Sequence, residues 1–410
     1  MTGLDRRRFL TGAAAALGGA AAGAGATRLA GPAAASPSSP TPPERRYAFD
    51  GPHQAGVLTP AQANAAFLAF DLTTGDRTEL QELLHTLTVR ARALTQAAVP
   101  VPAGISAEPS DSLLLGPAPV SDGLTITVGL GASAFDHRFG LASARPRRLR
   151  AMDTFANDQL DPMQCDGDLL LQVGADHPDV VLHALRDLTR HTRGGMQVRW
   201  RIDGFTPPPR PAGAARNLLG FKDGIANPDR SDSALMDQLI WVQPGAGEPT
   251  WATGGSYQVV RIIRMLVEFW DRVGVSEQER IFGRRKDSGA PLSGSRESDT
   301  PDYSDDPIGA QIPLDSHIRR ANPRTPQTDA SRLLRRSFSY DRGTDRNGNL
   351  DMGLIFSCFQ QDLDRQFVAV QRRLAGEPLS DYIVPTGGGY FFTLPGVQGE
   401  SDHLGRWLFS

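Results

Sequence analysis

The sequence predicts an α+β protein made of two ferredoxin-like halves, each an antiparallel sheet with helices on one face, packed as one double domain. Three observations carry this prediction. The chain of 410 residues is longer than one typical core requires. Its first half shows a β-α-β-β-α-β order of apolar patterns, and its second half repeats much of that order. The break near residue 210, at "TPPPRPAGAARN", separates the predicted halves 47–209 and 210–410.

The first half carries the clearer pattern. The apolar run 64–73 predicts a strand, and the amphipathic segment after it predicts a helix capped by Asp76 or Thr78. Alternation from Leu124 to Val128 predicts the second strand. The remaining predicted elements are a buried strand in "GDLLLQVGAD", a helix in "HPDVVLHALRDLTRHT" and a strand in "MQVRWRIDGF".

The second half echoes this order around long inserts. The predicted elements are a strand in "GGSYQVVRIIRML", a helix start in "SEQERIFGRR", a strand in "GLIFSCFQQD", a helix in "DRQFVAVQRRLA" and a closing strand in "GGYFFTLP". The insert 283–330 is rich in Gly, Pro and Asp and lacks periodicity. Segments of that kind are usually functional loops or disorder.

The first 35 residues predict a targeting signal rather than part of the fold. Arg6 and Arg7 are followed by "RFL" and then by a Gly- and Ala-rich run, a pattern typical of twin-arginine signals. A membrane anchor is the weaker alternative, because Gly and Ala dominate this run where Leu, Ile and Val would be expected. Residues 36–46, "SPSSPTPPERR", predict an extended disordered spacer. We therefore expect an exported protein, periplasmic or extracellular, with no stable membrane span after signal removal.

Charge and cysteine usage exclude several classes of protein. Charged residues make up 22% of the chain and its formal net charge is −3, so no nucleic acid or other polyelectrolyte partner is expected. Cys165 and Cys358 are too few for a disulfide scaffold and form no C-x-x-C motif. Two buried free thiols are expected, with a single disulfide as the alternative.

One acid and one histidine are the first candidates for a site. Asp223 lies in "GFKDGIANP", where Asp-Gly and Asn-Pro are ordinary turn chemistry, so a structural turn competes with a functional loop. His317 is the only histidine between His191 and His403. A single histidine cannot form a zinc site, which needs three or four ligands, but haem iron needs only one. A structural histidine is the competing interpretation.

Two adjacent arginines follow in "RLLRRSFSY". Arg335 and Arg336 lie on a predicted strand with alternating faces, so one of them must point inward. A buried guanidinium needs an anionic partner, for which the candidates are a haem propionate, Asp223 or bound peroxide. An exposed basic edge is the alternative.

These residues carry a resemblance to a known family. "GFKDG" resembles the G-x-x-D-G motif of the dye-decolorising peroxidases, "SHIRRANPR" resembles the segment with their proximal haem histidine, and "LLRRSFSY" resembles the segment with their distal arginine. "HQAGVLTP", "DGDLLLQVGAD" and "PTGGGYFF" also match, so the resemblance covers roughly residues 45–410. The inserts and the export signal are similar to the branch that includes the deferrochelatases linked to iron uptake.

The resemblance implies a dimeric α+β protein with haem b in its C-terminal half. His317 would be the axial iron ligand, Asp223 the distal acid and Arg335 the distal arginine, with Gly224 beside the cofactor. Hydrogen peroxide and small aromatic electron donors would be the substrates. A distal carboxylate can take a proton from one peroxide oxygen and return it to the other, while an arginine stabilises developing negative charge.

Further residues complete the expected site. A proximal histidine usually donates its second ring N–H to a carboxylate, for which Asp381 is the candidate, with Asp362 and Asp364 behind it. Arg320, ahead of its neighbour Arg319, is expected to bind a haem propionate. Phe356, together with Phe359, is expected either to wall the pocket or to pack in the core.

Two functions follow from this set of residues. The first is an exported haem peroxidase that oxidises phenolic or dye-like donors with hydrogen peroxide. The second is a haem-handling protein of iron uptake that binds haem and releases its iron. The motifs are shared by both, so the sequence does not separate them.

Overall fold

The computed structural model describes residues 44–101, 104 and 106–410. The predicted signal 1–35 and the spacer up to residue 43 lie outside the described residues. Glu44–Ser410 forms one compact unit. Arg45 Nε donates to Asp176 Oδ2 at 2.8 Å, so the chain is already anchored two residues before the predicted start of the first half. Within the described residues, no helix has both the length and the apolar character needed to cross a membrane.

Strands and helices follow the predicted order. The strands are β1 (Asn64–Leu72), β2 (Thr125–Gly131), β3 (Leu169–Ala175), β4 (Met196–Phe205), β5 (Ser256–Met265), β6 (Leu334–Arg335), β7 (Phe338–Thr344), β8 (Leu350–Gln360) and β9 (Ile383–Thr393). The helices are α1 (Arg77–Thr95), α2 (Pro178–His191), α3 (Ser233–Leu239), α4 (Val267–Trp270), α5 (Val275–Phe282), α6 (His317–Ala321), α7 (Pro326–Asp329) and α8 (Ala369–Leu374). A π-helical turn, Asp364–Val368, precedes α8.

Eight strands close into one antiparallel, barrel-like sheet. Their order is β5-β9-β2-β3-β1-β4-β7-β8, and β8 pairs with β5 to complete the ring, while β6 extends the far end of β8. The α+β class is therefore confirmed. The predicted halves do not have a separate sheet each, because β2 pairs with β9 and β4 pairs with β7 across the boundary between them.

Alternation along the strands separates two cores. Side chains that point inward from seven of the eight strands fill the barrel, among them Phe67, Trp200, Ile262, Phe338 and Phe391. Their neighbours point outward. On the first half these neighbours are covered by α1 and α2, whereas on the outer face of β5 and β8 they wall a cavity. The closed sheet thus gives the second half a rigid wall for a site.

Several local predictions are resolved. Asp76 caps α1, since its side chain accepts from the backbone N–H groups of Thr78 and Glu79. The strand predicted in "LLRRSFSY" is broken into β6 and β7. Cys165 and Cys358 are both buried free thiols, so the alternative of a disulfide is wrong.

Candidate active site

A cavity of about 570 Å³ lies against the outer face of β5 and β8. Five of the residues singled out in the sequence line it: Asp223, Gly224, His317, Arg335 and Phe356. They come from four separate parts of the chain. The fold therefore brings the three motifs of the sequence into one enclosure.

His317 opens α6 and is backed by a buried acid. Its Nδ1 lies 2.9 Å from Oε2 and 3.1 Å from Oε1 of Glu377, whose side chain is only 4% exposed. Burial lowers the pKa of His317, but the Glu377 carboxylate outweighs burial and leaves that pKa raised. Since Nδ1 faces a carboxylate, Nδ1 is the ring nitrogen that donates, and Nε2 is the ring atom available for a ligand bond.

The C-terminal end of α5 sets the position of this histidine. Gly283 ends α5 with φ +83°, and a Cβ there would lie 2.7 Å from Ile318 Cγ1 and 3.0 Å from Ser316 Oγ. Only glycine allows α6 to start so close to α5. Phe282, the last residue of α5, lies with its ring centroid 5.9 Å from that of His317.

Asp223 lies in a turn held at both ends. Its backbone N–H donates to Ala215 O at 2.9 Å, and its Oδ1 accepts from the backbone N–H of Gly224 at 2.7 Å. Gly224 has φ +87°, a conformation that L residues rarely adopt. Phe221, two residues earlier, stacks on Phe282 with ring centroids 4.0 Å apart. The turn is thereby packed against the same aromatic group that contacts His317.

Arg335 and Asp223 form an ion pair inside the cavity. Arg335 Nη1 lies 2.7 Å from Asp223 Oδ1, and the two side chains are 25% and 22% exposed. Asn227 ties the two segments together, because its side chain accepts from Arg335 N at 3.0 Å and donates to Arg335 O at 2.9 Å. Asn227 thus acts like a strand neighbour, and it sets the position of the arginine relative to the Asp223 turn.

Arg336 has a different environment. It is 5% exposed, does not line the cavity, and donates to the carbonyl oxygens of Thr59 and Pro60 and to Gln62 Oε1. Of the two adjacent arginines, Arg335 is therefore the one that the structure places at the cavity.

The same cavity contains a buried cation without an acidic partner. Arg284 is 6% exposed, and among the described residues it donates only to the backbone oxygens of Gly289 and Glu297. Burial lowers its pKa, as do the nearby charges of Arg324 and Arg335. Arg324 is exposed at the rim of the cavity. The charge of Glu297 acts in the opposite direction, and a bound anion such as a haem propionate would add further negative charge beside this cluster of cations.

Three residues expected in the site lie elsewhere. Arg320 does not line the cavity and donates to Ala375 O at 2.8 Å, and Arg319 pairs with Asp306 instead. Asp381 is exposed, and the carboxylate at His317 belongs to Glu377. Arg319, two residues after His317 in a short helix, points to another side of that helix, whereas Arg320 shares the side of His317 but its guanidinium is directed to Ala375 O.

Phe359 does not line the cavity, whereas Phe356 does. Residues three apart on a strand point to opposite faces, and Phe359 packs in a separate buried cluster with Trp241 and Leu334. The sequence had no signal for Glu377 or Arg284 as members of the site. Asn227 alone was visible as part of the "GFKDGIANP" motif.

Haem fits this set of residues. Across the described residues there is no group of three or more His, Cys, Asp or Glu side chains that could hold a metal ion by itself. A single imidazole backed by a carboxylate is sufficient for an iron that already has four porphyrin ligands. The two propionates of haem would supply the negative charge that Arg284 lacks.

Comparison with known proteins identifies the family of the chain. Two family models match the chain, "Dyp-type peroxidase, N-terminal" over residues 54–206 and "Dyp-type peroxidase, C-terminal" over residues 214–398. A deferrochelatase of Shigella boydii serotype 4 is 48% identical over 375 residues, which cover 90% of this chain and 89% of that protein. A deferrochelatase of Shigella flexneri serotype 5b is 47% identical over 411 residues, 98% and 96% of the two chains.

Solved structures of similar proteins share the fold. The DyP-type peroxidase of Cellulomonas bogoriensis is 36% identical with a TM-score of 0.79, covering 90% of this chain and 99% of that one. Ferric DtpA of Streptomyces lividans is 37% identical with the same TM-score, covering 89% and 97%. The chain belongs to the Dyp-type peroxidase family and is a haem-dependent peroxidase.

Proposed function

We propose that this protein oxidises small phenolic or dye-like donors with hydrogen peroxide at a haem b bound through His317. The observation that carries the proposal is the presence of two pairs in one cavity, Glu377 with His317 and Asp223 with Arg335. The first pair suits an axial iron ligand. The second pair suits proton transfer and charge stabilisation at peroxide.

Asp223 is the proposed proton carrier. Its Oδ1 is occupied by Arg335 and by the backbone of Gly224, whereas no hydrogen bond to Oδ2 occurs among the described residues. Oδ2 can therefore accept the proton from one peroxide oxygen and deliver it to the other. Bound haem supplies the redox-active iron at which the peroxide O–O bond is cleaved.

Arg335 is the proposed electrostatic partner in this step. Only Nη1 of its guanidinium is hydrogen-bonded within the described part of the chain, so the other N–H groups remain available. A fixed donor in a partly buried site stabilises negative charge that develops on oxygen. Arg284 and Arg324 are the residues proposed to bind the propionates, in place of Arg320.

The remaining architecture is proposed as follows. The strand orders β2-β3-β1-β4 and β9-β5-β8-β7 are interpreted as two ferredoxin-like units in 47–209 and 210–410, with the haem in the second. Residues 1–35 are proposed to direct export by the twin-arginine pathway to the periplasm or the cell exterior. The exported protein is proposed to form a homodimer.

The test replaces the proposed ligand. His317→Ala should lose stable haem, since imidazole is the only axial bond that the chain is proposed to supply. The matched control is His85→Ala, which changes an exposed histidine of α1. The absorption spectrum of each purified protein and the steady-state oxidation of 2-methoxyphenol by peroxide are the measurements. A normal haem spectrum in His317→Ala would overturn the assignment.

A second function is favoured by the names of the relatives. Proteins 47–49% identical to this chain are deferrochelatases, so release of iron from haem is the alternative proposal. The two are separated by the products formed from a haem-loaded sample. Iron release would yield iron-free porphyrin, which is fluorescent, in at most stoichiometric amount. A peroxidase would oxidise many donor molecules for each haem and leave its haem intact.

A further inference from the structure

Another charged side chain lines the cavity and has no part in the haem binding or proton transfer proposed for the other residues. Arg261, on the outer face of β5, lines the cavity and is only 2% exposed. Its Nη2 pairs with Asp158, whose side chain is fully buried. Its Nη1 is buried and has no hydrogen-bond partner among the described residues. An unpaired buried donor of this kind is costly unless a ligand satisfies it.

The guanidinium is held rigidly in this position. Both oxygens of Asp158 are used, Oδ1 by Arg261 and Oδ2 by the backbone N–H of Phe155 at 2.9 Å. The ring of Phe155 lies with its centroid 5.3 Å from Arg261 Cζ. Asp158 therefore cannot turn to satisfy Nη1, so the guanidinium keeps an unpaired N–H in a residue that lines the cavity.

The register places Arg261 on the same wall as Arg335. Arg335 pairs with Cys358, which lies two residues from Phe356, and Phe356 pairs with Arg261. Paired residues and residues two apart share a face, so both arginines project from the outer face of the sheet. Two strand spacings of about 4.8 Å and two residues of about 3.4 Å put their Cα atoms roughly 12 Å apart.

The surroundings of Arg261 are aromatic. Phe155, Phe356 and Phe367 all line the cavity, and Phe367 lies 6.1 Å from Phe155 and 6.0 Å from Phe356 between ring centroids. Ala156, next to Phe155, is exposed and also lines the cavity, so this part of the wall reaches solvent. A ligand that enters here meets apolar rings and one hydrogen-bond donor.

We propose that Arg261 forms a subsite for the carboxylate of an aromatic donor, with the phenylalanine rings around the donor's own ring. This inference rests on the proposed function, because it names the substrate class of the same cavity. A haem propionate has the same carboxylate chemistry, and Arg284 with Arg324 is the site assigned to it above. The selectivity expected is for phenolic acids over their uncharged amides.

The test uses the haem-loaded protein and a pair of non-oxidisable probes, benzoate and benzamide, titrated by calorimetry at pH 7. The parent should bind benzoate more tightly than benzamide, by about ten- to a hundredfold, the worth of one hydrogen bond to a charged group. Arg261→Gln should abolish this preference. Asp158→Asn should keep or increase it, because the guanidinium remains and its competing negative charge is removed.

The two substitutions break the same ion pair, so they separate ligand binding from a structural role. If Arg261 only pins the loop that carries Asp158, both variants should change benzoate and benzamide binding alike, and that result would overturn the proposal. If Arg261→Gln does not fold, the test rests on Asp158→Asn. A smaller preference for benzoate over benzamide in that variant than in the parent contradicts the proposal. If Arg261→Gln instead weakens the binding of haem with no change in the benzoate preference, the carboxylate is a propionate and the donor subsite is refuted.

Turnover distinguishes a failed subsite from a failed proposed function. The ratio of kcat/KM for 4-hydroxybenzoate to that for 4-hydroxybenzamide should fall about ten- to a hundredfold in Arg261→Gln. Absence of peroxide-dependent turnover of either phenol in the parent would refute the proposed function, while the benzoate titration would still decide the subsite. An unchanged ratio in an active enzyme would refute the subsite alone.

Discussion

Substitution of Glu377, whose carboxylate faces His317 Nδ1, is the most direct test of the site. Glu377→Gln keeps the shape of the side chain and one oxygen acceptor but removes the negative charge. In the protein, that charge lies 2.9 Å from His317 Nδ1 and is almost completely buried, so water cannot replace it. The imidazole should become a weaker base, and its proposed bond to haem iron should weaken with it.

The expected size of the effect follows from this geometry. Loss of the carboxylate partner of a metal-bound histidine typically costs about ten- to a hundredfold in metal affinity or activity. For haem affinity this is about 1.4 to 2.7 kcal/mol. The midpoint potential of the bound iron should also shift to more positive values, since the negative charge favours the oxidised metal.

Asp381→Asn is the matched control, because it removes an acid four residues away that is exposed on the same segment. The assay titrates haem-free protein with haemin at pH 7 and measures the potential of the loaded protein. The control should match the parent in both measurements. Glu377→Gln with the affinity and potential of the parent would show that the acid does not act through His317, and the reasoning would be refuted.

Three further results are expected. Asp223→Asn should keep its haem and lose less than about 1 kcal/mol of stability, since its ion pair is partly solvent-exposed. It should nevertheless react with peroxide about 10² to 10⁴ times more slowly in stopped-flow measurements. A variant that reacts at the parental rate at every pH would contradict this prediction. Arg284→Gln should weaken haem binding whereas Arg320→Gln should not, and equal affinities in a haemin titration would remove Arg284 from the propionate site. Asp122 raises the pKa of His177, so the stability difference between the protein and His177→Gln should be fully present below about pH 6.5 and disappear as the pH rises through the raised pKa. Urea unfolding at several pH values measures that difference, and a difference that grows with pH would contradict the ion pair.

The sequence predicted a feature correctly where one short segment contains all the residues that produce that feature. Asp76 caps α1 because its side chain reaches backbone N–H groups two and three residues away. The Asp223 turn is similar, since Gly224 and the residues around it supply the turn themselves. Such features depend on neighbours in the chain, so the pattern of residue types is sufficient to predict them.

Tertiary pairing was the part that the sequence could not supply. Both Glu377 and Asp381 are acids in one short segment about sixty residues after His317, and nothing local distinguishes them. The difference is that Glu377 precedes the helical turn Pro378–Asp381 and faces His317 in the cavity, whereas Asp381 ends that turn in solvent. The closed sheet was not predicted for the same reason, since the pairs β2–β9 and β4–β7 join strands that are distant in the chain.

Alternation along the extended backbone of Arg335, which ends β6, and Arg336, which follows it, explains why two adjacent, chemically identical side chains have different surroundings. Arg335 projects to the cavity face, where Asp223 balances its charge and Asn227 fixes its backbone. Arg336 projects to the opposite side, where its acceptors are uncharged oxygens, and burial together with the charge of Arg230 lowers its pKa to about 9. Arg336 still carries a full charge at pH 7, and it ties the segment 59–62 to the second half. The strand can offer only one of the two guanidinium groups to a ligand, so a shift of one residue in register would exchange a functional group for a structural one.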